Sequence, residues 1–98
     1  MQEIKTHEWV KTVDGKRRVG ICDWAQKELG EIVFIELPKV GAQLKAGDVL
    51  CIIETTKAAA DITCPIDGTV ESVNMELIER PGLINASAED LGWIAQLR

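Results

Sequence analysis

Ninety-eight residues and 10.8 kDa limit the chain to one small domain over residues 1–98, too short for a Rossmann fold or a TIM barrel. A hydrophobic fraction of 46% with mean hydropathy of +0.02 is that of a folding chain, not a disordered one. Eleven Lys and Arg against sixteen Asp and Glu give a net charge of −5, which excludes a general phosphate-backbone binder and hence a nucleic-acid partner.

The charge is unevenly placed: residues 1–57 carry nine of each sign, whereas residues 58–98 carry two cations and seven acids. This acidic second part is a solvated face that can steer basic partners. The segment Met1 to Lys5 has no hydrophobic signal region, and no apolar run reaches the ~20 residues of a membrane span. The expectation is a cytoplasmic protein without a membrane partner, or the mature form of an organellar one in the mitochondrial matrix. Cys22, Cys51 and Cys64 are odd in number, form no C-x-x-C pair and lie far in sequence from His7, the one histidine, so no metal site is expected. Reduced, apolar cysteines in a reducing compartment fit this usage.

In chain order, Trp9 to Val13 and Arg18 to Ile21 flank Asp14-Gly15, a dipeptide that tolerates positive φ, and predict a β-hairpin. Asp23 to Gly30 predicts one short helix, with Asp23 as cap, Gly30 past its end, and Trp24 and Leu29 or their neighbours packed on the sheet. The runs Ile32-Val33-Phe34-Ile35 and Val49 to Ile53 read as strands buried on both faces. After a turn through Glu54 to Ala60, strands are expected at Ile62 to Cys64, Thr69 to Val73 and Leu91 to Leu97, the last with Leu91, Trp93, Ala95 and Leu97 on one face. Trp9, Trp24 and Trp93 are expected to fill the core, and Lys16-Arg17-Arg18 to be a solvated turn cluster. A weak internal repeat runs through this order, Gly30 to Val33 recurring as Gly68 to Glu71 at an offset of 38 and Asp48 to Leu50 as Asp90 to Gly92 at 42. Two similar half-sheets then face one another with pseudo-two-fold symmetry.

The segment that carries chemistry is Glu54-Thr55-Thr56-Lys57-Ala58-Ala59-Ala60-Asp61, a turn between two strands with one lysine beside small residues. A nucleophilic lysine needs a desolvated or cationic pocket to lower a reference pKa of ~10.4, and a hairpin tip offers neither. Exposure, small neighbours and a rigid base suit a lysine that another enzyme grips and acylates. That is the description of a post-translational attachment site, and with no Cys-His, Ser-His-Asp or metal constellation in the sequence an enzyme proper is not expected.

These residues resemble the glycine cleavage H-protein family, a branch of the lipoyl and biotinyl carriers. Thr6-His7-Glu8-Trp9-Val10, Val19-Gly20-Ile21 through Glu36-Leu37-Pro38, and Pro65, Gly68, Val70, Asn74, Asn85 and Gly92-Trp93 are similar to its blocks. Glu54-Thr55-Thr56-Lys57-Ala58 resembles its Glu-Ser-Val-Lys-Ala lipoylation motif. The resemblance implies a mainly β fold, a lipoyl-domain-like barrel-sandwich hybrid of two quasi-symmetric antiparallel sheets with one short helix. It also implies lipoate attached covalently to Lys57, with Glu54, Thr55, Thr56 and Ala58 as recognition motif. Gly41 and Gly68, sixteen residues before and eleven after the lysine, would shape the turns that square the hairpin. Biotinyl carriers place Met on both sides of the lysine; here the flanks are Thr56 and Ala58, which disfavours biotin.

The function implied is that of an arm carrying the aminomethyl intermediate and electrons among a pyridoxal-phosphate glycine decarboxylase, an aminomethyltransferase and dihydrolipoyl dehydrogenase, after loading by a lipoate ligase or lipoyl transferase. Glu8 and Asp61 are the matching candidates for acids in a cleft that shelters the loaded arm. A monomer suits a carrier that visits several active sites. The family usually continues past the Gly-Trp strand into a helical segment, whereas this sequence stops at Arg98. That difference leaves a shortened carrier for redox defence, lipoyl relay or sulfur oxidation as an alternative. An unmodified β-barrel interaction module is the reading from another class, with one Phe and no Tyr leaving little for base stacking.

Overall fold

The computed structural model describes residues 8–98, and the matches at Thr6 and His7 lie outside them. Strands β1 (Glu8–Val13) and β2 (Lys16–Ile21) form the predicted hairpin, closed by the Val13 and Lys16 pair. Its two-residue loop places Asp14 at φ 52° and Gly15 at φ 77°, the left-handed pair that matches the twist of the flanking strands.

Helix α1 (Asp23–Leu29) ends where predicted, at Gly30 with φ 87°, whose N–H donates to the Gln26 carbonyl at 3.0 Å. Its start differs. Cys22 occupies the cap position without a side-chain bond, and Asp23 is the first helical residue, accepting from Gln26 Nε2 at 3.0 Å and pairing with Lys27 at 3.3 Å. These two contacts hold the Asp23 carboxyl below its usual pKa, the Gln26 bond being the larger cause. The buried face is Ala25 and Gln26, with Leu29 partly covered, while Trp24 is 51% exposed.

The remaining elements are β3 (Ile32–Glu36), β4 (Gln43–Leu44), β5 (Val49–Thr55), β6 (Ala59–Thr63), β7 (Gly68–Val73), α2 (Glu76–Glu79), α3 (Leu83–Ser87) and β8 (Ala95–Leu97). They build a five-stranded sheet ordered β1-β2-β8-β7-β4 and a three-stranded sheet ordered β3-β5-β6, all pairings antiparallel. This is the mainly β, two-sheet architecture expected from the sequence. Val19, Ile21, Ile35, Ile53 and Leu97 sit between the sheets with 3% exposure or less.

The internal repeat is real in three dimensions. In the first half Ile32, Phe34 and Ile35 pair with Thr55, Glu54 and Ile53. In the second, Val70, Ser72 and Val73 pair with Leu97, Gln96 and Ala95, the same positions shifted by 38 on one strand and 42 on the other. The irregularity between Ile32 and Phe34 recurs between Val70 and Ser72, so even the bulge is repeated.

Four expectations are corrected. The apolar runs are not buried on both faces: Val33, Phe34 and Val49 are about half exposed, because each antiparallel sheet has a partner sheet on one side only. The last strand is confined to Ala95–Leu97, since Trp93 N–H donates to the Asp90 carbonyl at 3.2 Å in a turn that leaves Leu91 60% exposed. Two further helices, α2 and α3, join the predicted one; at four and five residues, with no side-chain cap, they left no periodic signal.

The fourth correction concerns the tryptophans and the basic cluster. Trp9 covers Gly20 on the outer side of the larger sheet and donates Nε1–H to the Ala88 carbonyl at 2.9 Å. The Trp93 ring lies under the Arg18 guanidinium at 4.4 Å, and Arg18 Nε donates to Gln96 Oε1 at 3.1 Å. Lys16 pairs with Glu71 beside them. The rings and cations thus cover each other on this outer face, and the core between the sheets is aliphatic.

The three cysteines are free, with Cys51 and Cys64 buried. Burial pushes the Cys51 thiol from 9.0 to about 12. The unfolded chain therefore loses this proton at lower pH than the folded one, and stability falls as pH rises through the interval from 9.0 to about 12. Urea titrations are expected to show a loss from this thiol approaching about 1.4 kcal/mol per pH unit in that interval. Cys51→Ala therefore loses less than wild type, the remainder coming from Cys22 and Cys64, whose thiols burial also pushes up. Among the described residues no helix is long and apolar enough to cross a membrane, and no cluster of three His, Cys, Asp or Glu can hold a metal.

Candidate functional site

Strands β5 and β6 carry Lys57 at the end of the smaller sheet, with Glu54 and Ala59 as the last ladder pair before the turn. Two long strands joined by so few residues leave the chain no route but an exposed tip. The tip is held by one hydroxyl. Thr55 Oγ1 donates to the Ala58 carbonyl at 3.0 Å and accepts from Lys57 N–H and Ala58 N–H at 3.1 Å each, using its donor and both acceptor positions. Thr55 N–H adds a 2.8 Å bond to the Ala58 carbonyl, and Thr56 N–H donates to the Glu31 carbonyl at 3.2 Å, which ties the tip to the chain entering β3. Lys57 itself is exposed, and among the described residues no carboxylate pairs with its ammonium.

Beside the tip runs a groove of about 360 Å³ between α1 and β6, lined by Trp24, Ala25, Glu28 and Leu29 from the helix and by Ala60, Asp61 and Ile62 from the strand. Ala60 and Asp61 follow Lys57 by three and four residues, no more than about 13 Å along the chain. Apolar surface forms most of the lining, and Glu28 and Asp61 supply negative charge, a combination suited to a long apolar group with a cationic end.

The sequence-predicted residues fall in three places. Glu54, Thr55, Thr56, Lys57 and Ala58 are together in the tip, where the ordering hydroxyl of Thr55 acts within the turn. Asp61 lines the groove, and Glu8 reaches the same strand, its Oε2 accepting from Thr63 Oγ1 at 3.3 Å. Gly41 and Gly68 are elsewhere. Gly41, with φ 94°, donates its N–H to the Val70 carbonyl, and Gly68 opens β7 opposite Leu44, so both shape the β4–β7 edge and not the lysine hairpin. Gly68 is needed for space: a Cβ there would stand 3.1 Å from both Arg17 and Leu97. Sequence reasoning missed Glu28 and the exposed placement of Trp24, for which the only signal was a two-turn helix written near an acid-bearing strand.

A model of the glycine cleavage H-protein family matches residues 1–98. The chain is 46% identical over 94 residues to the glycine cleavage system H protein of Bacillus velezensis, covering 96% of this chain and 74% of that one. It is 44% identical over 93 residues to a probable mitochondrial glycine cleavage system H protein of Dictyostelium discoideum, covering 94% and 64%. It superposes on the crystal structure of a glycine cleavage system H protein from Mycobacterium marinum with a TM-score of 0.85 at 34% identity, covering 93% of this chain and 76% of that one. Against the curated relatives it matches, the chain spans from about half to about three quarters of their length. Together with the two-sheet fold and the lysine-tipped hairpin, these matches show that the chain belongs to the glycine cleavage H-protein family, the lipoyl carriers of glycine cleavage.

Proposed function

We propose that Lys57 is the lipoyl attachment site and that this chain, residues 1–98 acting as one domain, serves glycine cleavage as a non-catalytic carrier. Lipoate in amide linkage supplies a long arm ending in a dithiolane, which takes up and releases electrons and a one-carbon amine by thiol chemistry. The rest falls to the protein. The tip turn presents the Lys57 amine clear of neighbouring carboxylates, where a lipoate ligase or lipoyl transferase can reach it. Trp24, Leu29 and Ile62 offer apolar surface to the arm, while Asp61, Glu28 and Glu8 set a negative potential for its cationic end. Excluding water there slows loss of the carried unit between partners.

The partners are the pyridoxal-phosphate glycine decarboxylase, the aminomethyltransferase and dihydrolipoyl dehydrogenase, each visited by the tethered arm of a monomer at raised effective concentration. The place of work is the cytoplasm, or the mitochondrial matrix for a mature organellar form. The observation that carries this reading is an exposed lysine on a hydroxyl-braced tip next to an acid-bearing groove.

The direct test is intact mass after incubation with lipoate, ATP and lipoate ligase, and in parallel with biotin, ATP and biotin ligase. One lipoyl adduct and no biotinyl adduct is the expected result, followed by glycine-dependent NADH formation when the loaded chain joins the three enzymes. A lipoyl adduct without that turnover would retain the carrier chemistry and overturn the pathway. The tip itself gives a finer expectation. Thr55→Val removes the hydroxyl while keeping its shape, and kcat/KM for lipoylation is expected to fall about tenfold, the equivalent of one net hydrogen bond. Thr55→Ser, which keeps the hydroxyl, is expected to stay within about twofold of wild type in the same assay.

A further inference from the structure

The groove has two walls of unequal strength. Strand β6 is held by its ladder with β5, over pairs from Val49 and Thr63 to Glu54 and Ala59. Helix α1 has seven residues, buries only Ala25 and Gln26, and is too short to persist by itself. Its place is fixed by polar contacts. Asn85 on α3 donates Nδ2–H to Gln26 Oε1 and to the Gly30 carbonyl, both at 2.8 Å, and its Oδ1 accepts from Ile32 N–H at 2.9 Å. One amide thus spans the body of α1, its terminal glycine and the first residue of β3, with its donors and acceptor all used. Gln26, 6% exposed, extends the network to Asp23 Oδ1, and Asp23 N–H donates to Glu89 Oε2 at 2.8 Å just past α3. Every groove-lining residue of the helix, Trp24, Ala25, Glu28 and Leu29, lies between these tethers.

We propose that Asn85 is a positioning residue that sets the spacing of α1 from β6 and so the fit of the groove around the lipoyl-lysine arm. This rests on the reading that the arm of Lys57 lodges in that groove. Asn85 does not line the groove, and its hydrogen bonds go to Gln26, Gly30 and Ile32 and not to the tip turn. Its removal leaves Gln26 Oε1, the Gly30 carbonyl and Ile32 N–H to seek water, which loosens the helix wall while the β5–β6 hairpin and its lysine stay as they are. Loading and docking of the arm are thereby separated: the first belongs to the hairpin, the second to the Asn85 network.

The test compares wild type, Asn85→Ala and Gln26→Met, the last removing one arm of the network while retaining an apolar chain of similar length in case the alanine variant does not fold. Each is lipoylated with ligase, and amide NMR spectra are recorded before and after. The arm is then reduced and its thiols are alkylated with iodoacetamide at fixed pH. In wild type, lipoylation is expected to shift the amides of Ala25, Leu29 and Ile62 and to leave the arm thiols reacting slowly. In the variants the lipoylation rate is expected to stay within twofold of wild type, the groove shifts to collapse, and alkylation to quicken at least threefold. Groove shifts and alkylation rates retained in both variants would overturn the role of Asn85 alone. Absence of groove shifts in wild type would overturn the lodging of the arm itself, and this role with it.

Discussion

Lys57→Arg is expected to abolish lipoylation completely, and with it all glycine-dependent NADH formation, while leaving the melting temperature within a degree or two of wild type. The chemistry requires an amine that can be acylated. A guanidinium keeps the charge and the length, but it is delocalised and stays protonated under any working condition, so no ligase can form the amide. The structural cost is small because Lys57 is exposed, pairs with no described carboxylate and contributes only its backbone N–H to the Thr55 hydroxyl, a bond that arginine retains. Surface substitutions of this kind stay within about 0.5 kcal/mol. Intact mass, a thermal melt and the coupled assay together decide the matter. Residual turnover by a folded, unmodified variant would show that the pathway bypasses the arm, and a lipoyl adduct on the variant would show that the arm is attached elsewhere.

Much of this was legible because it is local. Asp14-Gly15 specifies the first hairpin, Gly30 ends α1, and the lysine among small residues marks an exposed tip, each through backbone preferences that reach no further than a few positions. The offsets of 38 and 42 were legible for a different reason: two half-sheets with the same register keep the same spacing of turns and apolar residues. What escaped the sequence is long-range. Trp24 reads as a core residue by composition, yet α1 turns Ala25 and Gln26 inward, where Gln26 meets Asn85 from fifty-nine positions away. Val33 and Phe34 read as doubly buried because nothing in the run says that only one sheet will cover it. The groove joins helix and strand more than thirty residues apart, so Asp61 could be reached from the sequence only through its resemblance, and Glu28 not at all. The candidate site is thus readable in its exposed lysine tip and unreadable in the groove beside it, the part built by tertiary contact.

The largest expected change in stability comes from a residue that touches neither. Gly92 lies against the backbone of α3, and a Cβ at its position would stand 2.9 Å from the Ile84 Cα and the Ser87 carbonyl oxygen and 3.0 Å from the Leu83 carbonyl oxygen. These are main-chain atoms of one helix, which cannot swing aside as the end of a flexible side chain can. Gly92 N–H also donates to that same Ser87 carbonyl at 2.8 Å, so relief by moving the turn outward breaks the bond that holds it. Gly92→Ala is therefore expected to destabilise the fold by about 2–4 kcal/mol, at the upper end of overpacking effects, and to lower the melting temperature by about 10–20 °C. Gly82→Ala is the matched control. Gly82 has φ −66° at the start of the same helix, and nothing lies within 4 Å of an added Cβ, so its melting temperature is expected to stay close to wild type. Since α3 also carries Asn85, the displacement forced by the methyl group added in Gly92→Ala is passed to the Gln26 and Gly30 contacts and then to the α1 wall of the groove. Chemical denaturation of both variants measures the first effect. Amide shifts of Ala25 and Leu29 in the folded Gly92→Ala protein measure the second, and a destabilised variant with those amides unmoved would show that α3 and the groove are mechanically independent.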